Sequence, residues 1–505
     1  MGNHGGKCEQ VMEERSRRWR AAALFAVYLI LAAVLPAVDD EVYYWCWAKE
    51  LQWSYYDHPP MTAVLMRLST MVLGDTVFGF RFFACVASAF AIYVIDRLTS
   101  FKPFVWAVIF SPLFTIGAVL MTPDSPLVMC WAAYLWWLVE LQRRFSTDSN
   151  PDPAVASVDQ NADTSPAFPG GVPFAWWLIG GVILGCGGLS KYTMAIAVPA
   201  GFVSFLLARR PLREWLFGYL MHGVIAVVVA SPILIYNVTQ NFEPLLYQWR
   251  HAAERSQNGM ISIAEFVGVQ MLLFGTMPFV LFPWVCRQTF SLSRTARLRV
   301  CLCLYALPLA FFLYKSAQTR VQGNWALVCF LSFWPLASEW YQTVRASRAW
   351  RWSTAASFLP PVIAVLAITV HLIHPLPVVP IKGDRVYRQI ALNHAAKQIA
   401  DTVRKHAEPL PVYTDSYQMT SLLRFESLPT QQIDGLTRPS HFTRPPRHLT
   451  DVDRAYVVTE HPLPEEFCQG FAAPELIATI PVVYRGATDK TLSVRLYSRI
   501  VEGGP

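Results

Sequence analysis

The residues best suited to chemistry stand in short polar stretches between apolar ones. Asp39-Asp40-Glu41 opens the first, followed by Tyr43-Tyr44-Trp45 and then by Tyr55-Tyr56-Asp57-His58-Pro59-Pro60. Further along come Met121-Thr122-Pro123-Asp124-Ser125-Pro126, Gly187-Gly188-Leu189-Ser190-Lys191-Tyr192, Tyr236-Asn237, Arg250-His251, and the run from Lys315 through Arg320 and Asn324 to Trp325. An ionisable group beside apolar segments costs a few kcal/mol unless it has a partner or a task. Acids and bases placed in this way suit transfer chemistry on an anionic lipid. Asp40 could take a proton from an acceptor hydroxyl as general base. Lys191 and Arg320 could hold a leaving phosphate, the guanidinium giving the two-pronged contact that phosphate prefers. Asp57 and His58 could bind a divalent ion or the lipid phosphate.

Plainer roles compete with each of these. An acidic triplet after an apolar stretch also suits a solvated loop, and Asp124 after Pro123 also suits a helix N-cap. Lys191 and Lys315 also suit snorkelling to a membrane interface. A metal site needs several donors, and His58 has only Asp57 beside it. What favours the chemical reading is that all these groups fall on one side of the membrane once the spans are counted.

The elements that must position them are read from composition and hydropathy. The 505 residues are 54% hydrophobic and only 15% charged, with 42 basic against 35 acidic side chains, and the mean hydropathy is +0.32. Soluble domains carry roughly a quarter charged residues, so a soluble enzyme, a disordered scaffold and a nucleic-acid module are all disfavoured. A spanning helix needs about 20 apolar residues. The first candidate, Ala21 to Val38, follows Arg15, Arg17, Arg18 and Arg20 and has no small-x-small cleavage pattern, so it reads as an uncleaved helix starting inside. Further apolar stretches lie at 80–97, 103–120, 125–142, 174–189, 192–208, 215–236, 264–286, 300–315, 325–341 and 353–373. That makes an all-α polytopic membrane protein of about eleven spans. Alternate connections are basic, at Arg97 and Lys102, Arg143 and Arg144, Arg209 to Arg213, Arg287 to Arg299, and Arg345 to Arg351. These are expected to be cytoplasmic, which puts the polar stretches outside.

The expected organisation is a cytoplasmic N-terminus at 1–20, a transmembrane domain at 21–373 with a flexible cytoplasmic linker at 146–172, and a small extracytoplasmic α/β domain at 374–505. In the last, a helix is expected around Arg385–His406 and strands at Pro411–Thr414, Ala455–Thr459, Leu476–Tyr484 and Leu492–Ile500. Of the ten cysteines, only Cys46 and Cys468 are expected where they could oxidise, and no spacing pairs them.

Six of the polar motifs, in this order, carry a resemblance: Asp-Glu-x-Tyr-Tyr from Asp40 with Tyr-Tyr-Asp-His-Pro-Pro, Thr-Pro-Asp-Ser-Pro around Asp124, Gly-Leu-Ser-Lys-Tyr-Thr around Lys191, Ser-Pro-x-x-x-Tyr-Asn ending at Asn237, and Arg-Val-Gln-Gly-Asn-Trp-Ala from Arg320. The chain resembles the GT-C type polyprenyl-phosphate-sugar-dependent glycosyltransferases, in the branch of the aminoarabinose lipid A transferase, the rhizobial galacturonic acid transferases and the protein O-mannosyltransferases. The likeness runs from about residue 20 to 375 and continues weakly into Val412–Gln418.

The resemblance implies an inverting transfer of a sugar from a polyprenyl-phosphate donor to a lipid, glycan or protein acceptor. It places the protein in a bacterial cytoplasmic (inner) membrane with its site facing out, in lipid A modification or protein glycosylation. Asp40 matches the catalytic acid of the first loop and Asp124 the acid of the second. Asp57 and His58 match an acid-base pair that is commonly Glu-Lys in relatives, which leaves a divalent metal ion open as cofactor. Lys191, Tyr192, Arg320 and Asn324 are implied, with His58, to bind substrate. No Gly-rich phosphate loop occurs, and no nucleotide or nucleic-acid partner is expected. The competing class is a lipid or sugar transporter or flippase, but such proteins place charges near the midplane and often in repeated halves, and no internal repeat is seen here.

Overall fold

Apolar runs that close their backbone hydrogen bonds within themselves make helices, and the chain is mostly helical. Its computed structural model describes residues 3–147, 171–253, 259–281, 283–284, 295–406 and 408–500. Most of the expected linker at 146–172, with Cys286, Arg287 and Arg294, lies outside the described residues. The chain divides into two compact units, Met1–Val34 with His58–Leu366, and Leu35–Asp57 with Ala367–Pro505. The soluble domain expected at 374–505 is thus part of a unit that also takes in the first polar stretch.

Among the described residues four helices are long and apolar enough to cross a membrane: Val77–Leu98, Leu212–Val229 and Ala296–Ser316 in the first unit, and Arg348–Ile373, which begins in the first unit and ends in the second. Others are shorter, including Met61–Leu73, which hydropathy did not single out. The stretch at 103–120, expected as one span, is a helix over Pro103–Ile109, a series of turns and a 3-10 turn at Gly117–Val119. Pro112 lacks the N–H that would carry the helix on. The stretch at 192–208 likewise begins as a 3-10 turn, Tyr192–Ile196, before the helix Ala197–Leu207. Eleven continuous spans therefore remain a hydropathy expectation.

The core of this unit packs Trp131, Tyr134, Tyr305 and Trp334 at zero to 1% exposure. Helix Phe174–Ser190 approaches Leu212–Val229 closely through small residues: a Cβ on Gly181 would lie 2.7 Å from the His222 carbonyl oxygen, so only glycine fits.

The basic connections gather at one end of the unit. Arg20 Nε and Lys102 Nζ reach the buried Asp96 carboxylate at 2.8 and 2.6 Å. Arg297 Nη1 donates to the Leu98 carbonyl at 2.9 Å, and Arg299 Nε to Gln142 Oε1 at 2.9 Å. Arg210 donates to the carbonyl of Phe145. Asp124 begins the same 24-residue helix, Asp124–Thr147, that carries Gln142 and Phe145 near its end. At 1.5 Å per residue, Asp124 lies about 30 Å from this basic end.

The second unit is α/β. Five strands, β1 Val412–Thr414, β2 Thr430–Gln432, β3 Arg454–Thr459, β4 Glu475–Tyr484 and β5 Ala487–Ser498, form one sheet in the order β2-β1-β3-β5-β4. β1 runs parallel to β2 and β3, and β5 antiparallel to β3 and β4. Helix Arg385–Lys405 and four strands fall close to where the sequence expects them, while β2 and helix Tyr417–Phe425 were not expected. The helix connects β1 to its parallel neighbour β2, as a parallel crossover requires. Helix Asp39–Lys49 packs on it, with Tyr43 and Tyr417 ring centroids 4.7 Å apart and Trp45 and Phe425 5.0 Å apart.

Candidate functional site

Helix Asp39–Lys49 starts at the acidic triplet, whose charges suit the positive end of a helix dipole. Its three carboxylates have separate surroundings. Glu41 is fully buried, and its Oε2 accepts from the Val38 backbone N–H at 3.2 Å, closing the N-terminus of the helix. Asp39 Oδ1 accepts from the Asp40 backbone N–H at 2.9 Å. Asp40 alone is exposed, and its Oδ1 accepts from the Tyr417 hydroxyl at 3.0 Å.

Removal from bulk water pushes the Asp39 carboxyl up to about 6, with the neighbouring Asp40 charge adding to the shift. The Asp40 carboxyl is raised as well, first by desolvation and then by Asp57, against the Tyr417 hydrogen bond and Arg438, which lower it. Asp40 therefore touches solvent yet sits deep enough in protein to become a stronger proton acceptor than a surface aspartate.

Asp57 lies in the same unit and is spoken for on both oxygens. Oδ2 accepts from the Tyr43 hydroxyl at 2.6 Å, and Oδ1 from Arg438 Nη1 at 2.9 Å. The Tyr43 oxygen also accepts from the His441 backbone N–H at 2.7 Å. Burial would lower the affinity of the Arg438 guanidinium for its proton, but the Asp57 charge outweighs this and keeps it firmly charged. The guanidinium lies 4.2 Å from the Tyr417 ring centroid, a cation-π contact. Burial pushes the His441 imidazole down to about 4, so it is neutral at pH 7. The hydroxyl and guanidinium around Asp57 do not fit a metal site, since the guanidinium already supplies the charge a cation would bring. Among the described residues no three His, Cys, Asp or Glu side chains come together as metal donors.

The first unit holds a second polar cluster. Lys191 Nζ lies 2.7 Å from Asp124 Oδ1, and Asn324 Nδ2 donates to Asp124 Oδ2 at 2.6 Å. Lys191 follows the end of helix Phe174–Ser190, and Asn324 sits in the 3-10 turn Gly323–Ala326, held by Gln270 Nε2 donating to the Gly323 carbonyl at 2.9 Å. Three motifs far apart in sequence thus meet on one carboxylate. Arg320 is not in this cluster: its side chain is 84% exposed and lies 3.4 Å from Glu265. The Asn237 side-chain amide bonds Tyr192, and its Oδ1 accepts from the Leu245 backbone N–H at 3.1 Å. Asn237 therefore fastens the turn after helix Ser231–Thr239. His58 is partly buried in this unit. Tyr192 and Asn237 also border an apolar groove of about 800 Å³ walled by Leu220, Val227, Phe242 and Leu245.

Sequence reasoning did not assign Arg438 or Tyr417. Tyr417 stood at the weak end of the resemblance, whereas Arg438, 381 residues from Asp57, carried no local signal.

Comparison with known proteins agrees with the motifs. The family model for dolichyl-phosphate-mannose-protein mannosyltransferase matches residues 57–147 and 173–236. The lipid A galacturonosyltransferase RgtD of Rhizobium johnstonii is 22% identical over 357 residues, 64% of this chain and 66% of that protein; the match thus spans a little under two thirds of the relative's length. The fold is similar to that of ArnT from Cupriavidus metallidurans bound to undecaprenyl phosphate, with a TM-score of 0.61 at 12% identity over 94% of this chain and 96% of ArnT. The apo state of ArnT gives 0.60 over the same shares. Together these matches show similarity in sequence to glycosyltransferases over part of the chain and an ArnT-like fold over most of it.

Proposed function

We propose that this protein is a membrane glycosyltransferase that moves one sugar from a polyprenyl-phosphate carrier to a hydroxyl of a lipid, glycan or protein acceptor. The reaction takes place at the extracytoplasmic face of a bacterial inner membrane. The observation that carries the reading is the contrast within the acidic triplet, where Asp40 is the most exposed carboxylate and the one that accepts from the Tyr417 hydroxyl, with its proton affinity raised as that of Asp39 also is. The acceptor oxygen attacks the anomeric carbon, Asp40 takes its proton, and the bond to the phosphate breaks with the electron pair leaving on the phosphate. Attack opposite the leaving group inverts the anomeric centre.

Asp124 anchors the second polar group of the reaction. It orients Lys191, whose ammonium has three donors and spends one on Asp124; the others suit a leaving phosphate. Asn324 holds the other oxygen of Asp124, and Tyr192 borders the apolar groove. Arg320, exposed beside Glu265, contributes at most to capture at the rim. The apolar groove suits an isoprenoid chain, which needs bulk without hydrogen bonds. Undecaprenyl phosphate bound to ArnT, and the galacturonosyl transfer to lipid A named for RgtD, support a polyprenyl donor and a lipid acceptor here. The count of about eleven spans, with the basic end in the cytoplasm, belongs to the same reading.

The test is transfer of radiolabelled sugar from polyprenyl-phosphate donors in membranes carrying wild-type protein or Asp40→Asn. Transfer by the wild type and its loss in the variant at equal protein level would support the reading. Equal transfer by both, or none by the wild type with any donor sugar tried, would reject it.

A further inference from the structure

The proposed reaction needs a cation close to the base, because a leaving phosphate gains negative charge as the glycosidic bond breaks. Within the second unit four side chains form a continuous series: Asp40 accepts from the Tyr417 hydroxyl at 3.0 Å, the Tyr417 ring lies under the Arg438 guanidinium at 4.2 Å, and Arg438 Nη1 donates to Asp57 at 2.9 Å. Exposure differs along the series. The Arg438 side chain is 42% exposed, while Asp57 beneath it is 9% exposed and is held from its other side by Tyr43. The ring fixes the plane of the guanidinium, and the buried carboxylate occupies one of its edges as an anion that a phosphate would displace, so a planar, multi-donor cation faces solvent beside the exposed carboxylate of Asp40.

We infer that Arg438, supplied by the C-terminal part of the chain, binds the phosphate of the polyprenyl carrier next to Asp40, with Tyr417 positioning both groups and Asp57 holding the guanidinium until the phosphate arrives. The inference rests on the reaction proposed above. On this account residues beyond 367 supply the phosphate contact within the same unit that carries Asp40. The anion it serves is the carrier phosphate, not an anionic group of the acceptor.

Donor and acceptor saturation curves, with binding of undecaprenyl phosphate alone to detergent-purified protein, distinguish these outcomes. Arg438→Ala should raise the donor KM and weaken undecaprenyl phosphate binding by about one to two decades, with the acceptor KM unchanged. Arg438→Lys should restore only part, since an ammonium does not reproduce the fork. Tyr417→Phe keeps the ring beneath Arg438 and removes the hydroxyl that bonds both Asp40 and Arg438, so it should lower kcat and raise the donor KM by less than Arg438→Ala does. Asp57→Asn removes the competing anion and should tighten undecaprenyl phosphate binding relative to wild type, a direction a merely structural bridge does not give; this variant decides the matter if Arg438→Ala fails to fold. A folded Arg438→Ala with wild-type donor KM and lipid binding, a rise confined to the acceptor KM, or weaker binding by Asp57→Asn would overturn the inference. In each case an active wild type leaves the transferase reading standing, whereas a wild type without transfer removes both.

Discussion

Lys191 Nζ sits 2.7 Å from Asp124 Oδ1, joining residues 67 apart in sequence, and both side chains are nearly covered, at 12% and 14% exposure. A charge left alone in such a place is costly. Lys191→Ala and Asp124→Ala should each lower stability by roughly 2–4 kcal/mol. The double variant should lose clearly less than the sum, because the second removal relieves an unpaired charge. Thermal unfolding of the purified proteins in detergent measures this, and additive losses would mean that the pair does not couple.

The acidic triplet should separate by function. Asp40→Asn should cut turnover by roughly 10²–10⁴-fold with little effect on protein level. Glu41→Gln should act on stability, since Glu41 is buried and closes the helix start through Val38. Turnover assays alongside melting curves check both. Normal turnover in Asp40→Asn together with loss in Asp39→Asn would move the base by one residue.

The raised Asp39 and Asp40 carboxyls set the pH behaviour. The base must be ionised, so kcat/KM should fall on the acid side at a pH above the ordinary aspartate value of 3.8, because the Asp40 carboxyl is raised by desolvation. For stability the sign is opposite to that of a salt-bridged acid. Folding favours the protonated form of Asp39, so its contribution is fully present below 3.8 and is lost as pH rises through about 6. Asp39→Asn should therefore be more stable than wild type at pH 7.5, by on the order of 1 kcal/mol, with the difference vanishing toward pH 4. Melting temperatures across that range provide the comparison.

Tyr43 carries two hydrogen bonds in a buried position, donating to Asp57 and accepting from the His441 N–H. Tyr43→Phe should cost roughly 1–3 kcal/mol, because both partners lose their bond without gaining water. An unchanged melting temperature would show that water replaces the hydroxyl.

The membrane topology predicts that cysteines introduced at Arg348 and His461, both exposed, react with an impermeant thiol reagent from opposite faces, Arg348 from the cytoplasm and His461 from outside. Ser440, although in the same unit as His461, is fully buried and would not report. Labelling of both from one side would change the span count by an odd number.

The sequence by itself determined the helical, apolar character of most of the described residues between 21 and 373, the α/β character of the C-terminal part, and the polar motifs, because each is written in local composition and period. It also brought forward Asp40, Asp124, Lys191 and Asn324 as polar residues in short connections. Tertiary structure alone decided their partners. That Asp124 is shared by Lys191 and Asn324, that Arg320 lies with Glu265, and that the stretch at 35–57 folds with residues beyond 367 could not be read from spacing. Arg438 is the sharpest case. Between Thr437 and Pro439 nothing distinguishes it from a solvated arginine, and only the folding of the chain sets its guanidinium against Asp57 and Tyr417. The physical reason is range: hydrophobic periodicity acts over a few residues, whereas an ion pair is selected by distance in space and leaves no trace in the residues on either side of it.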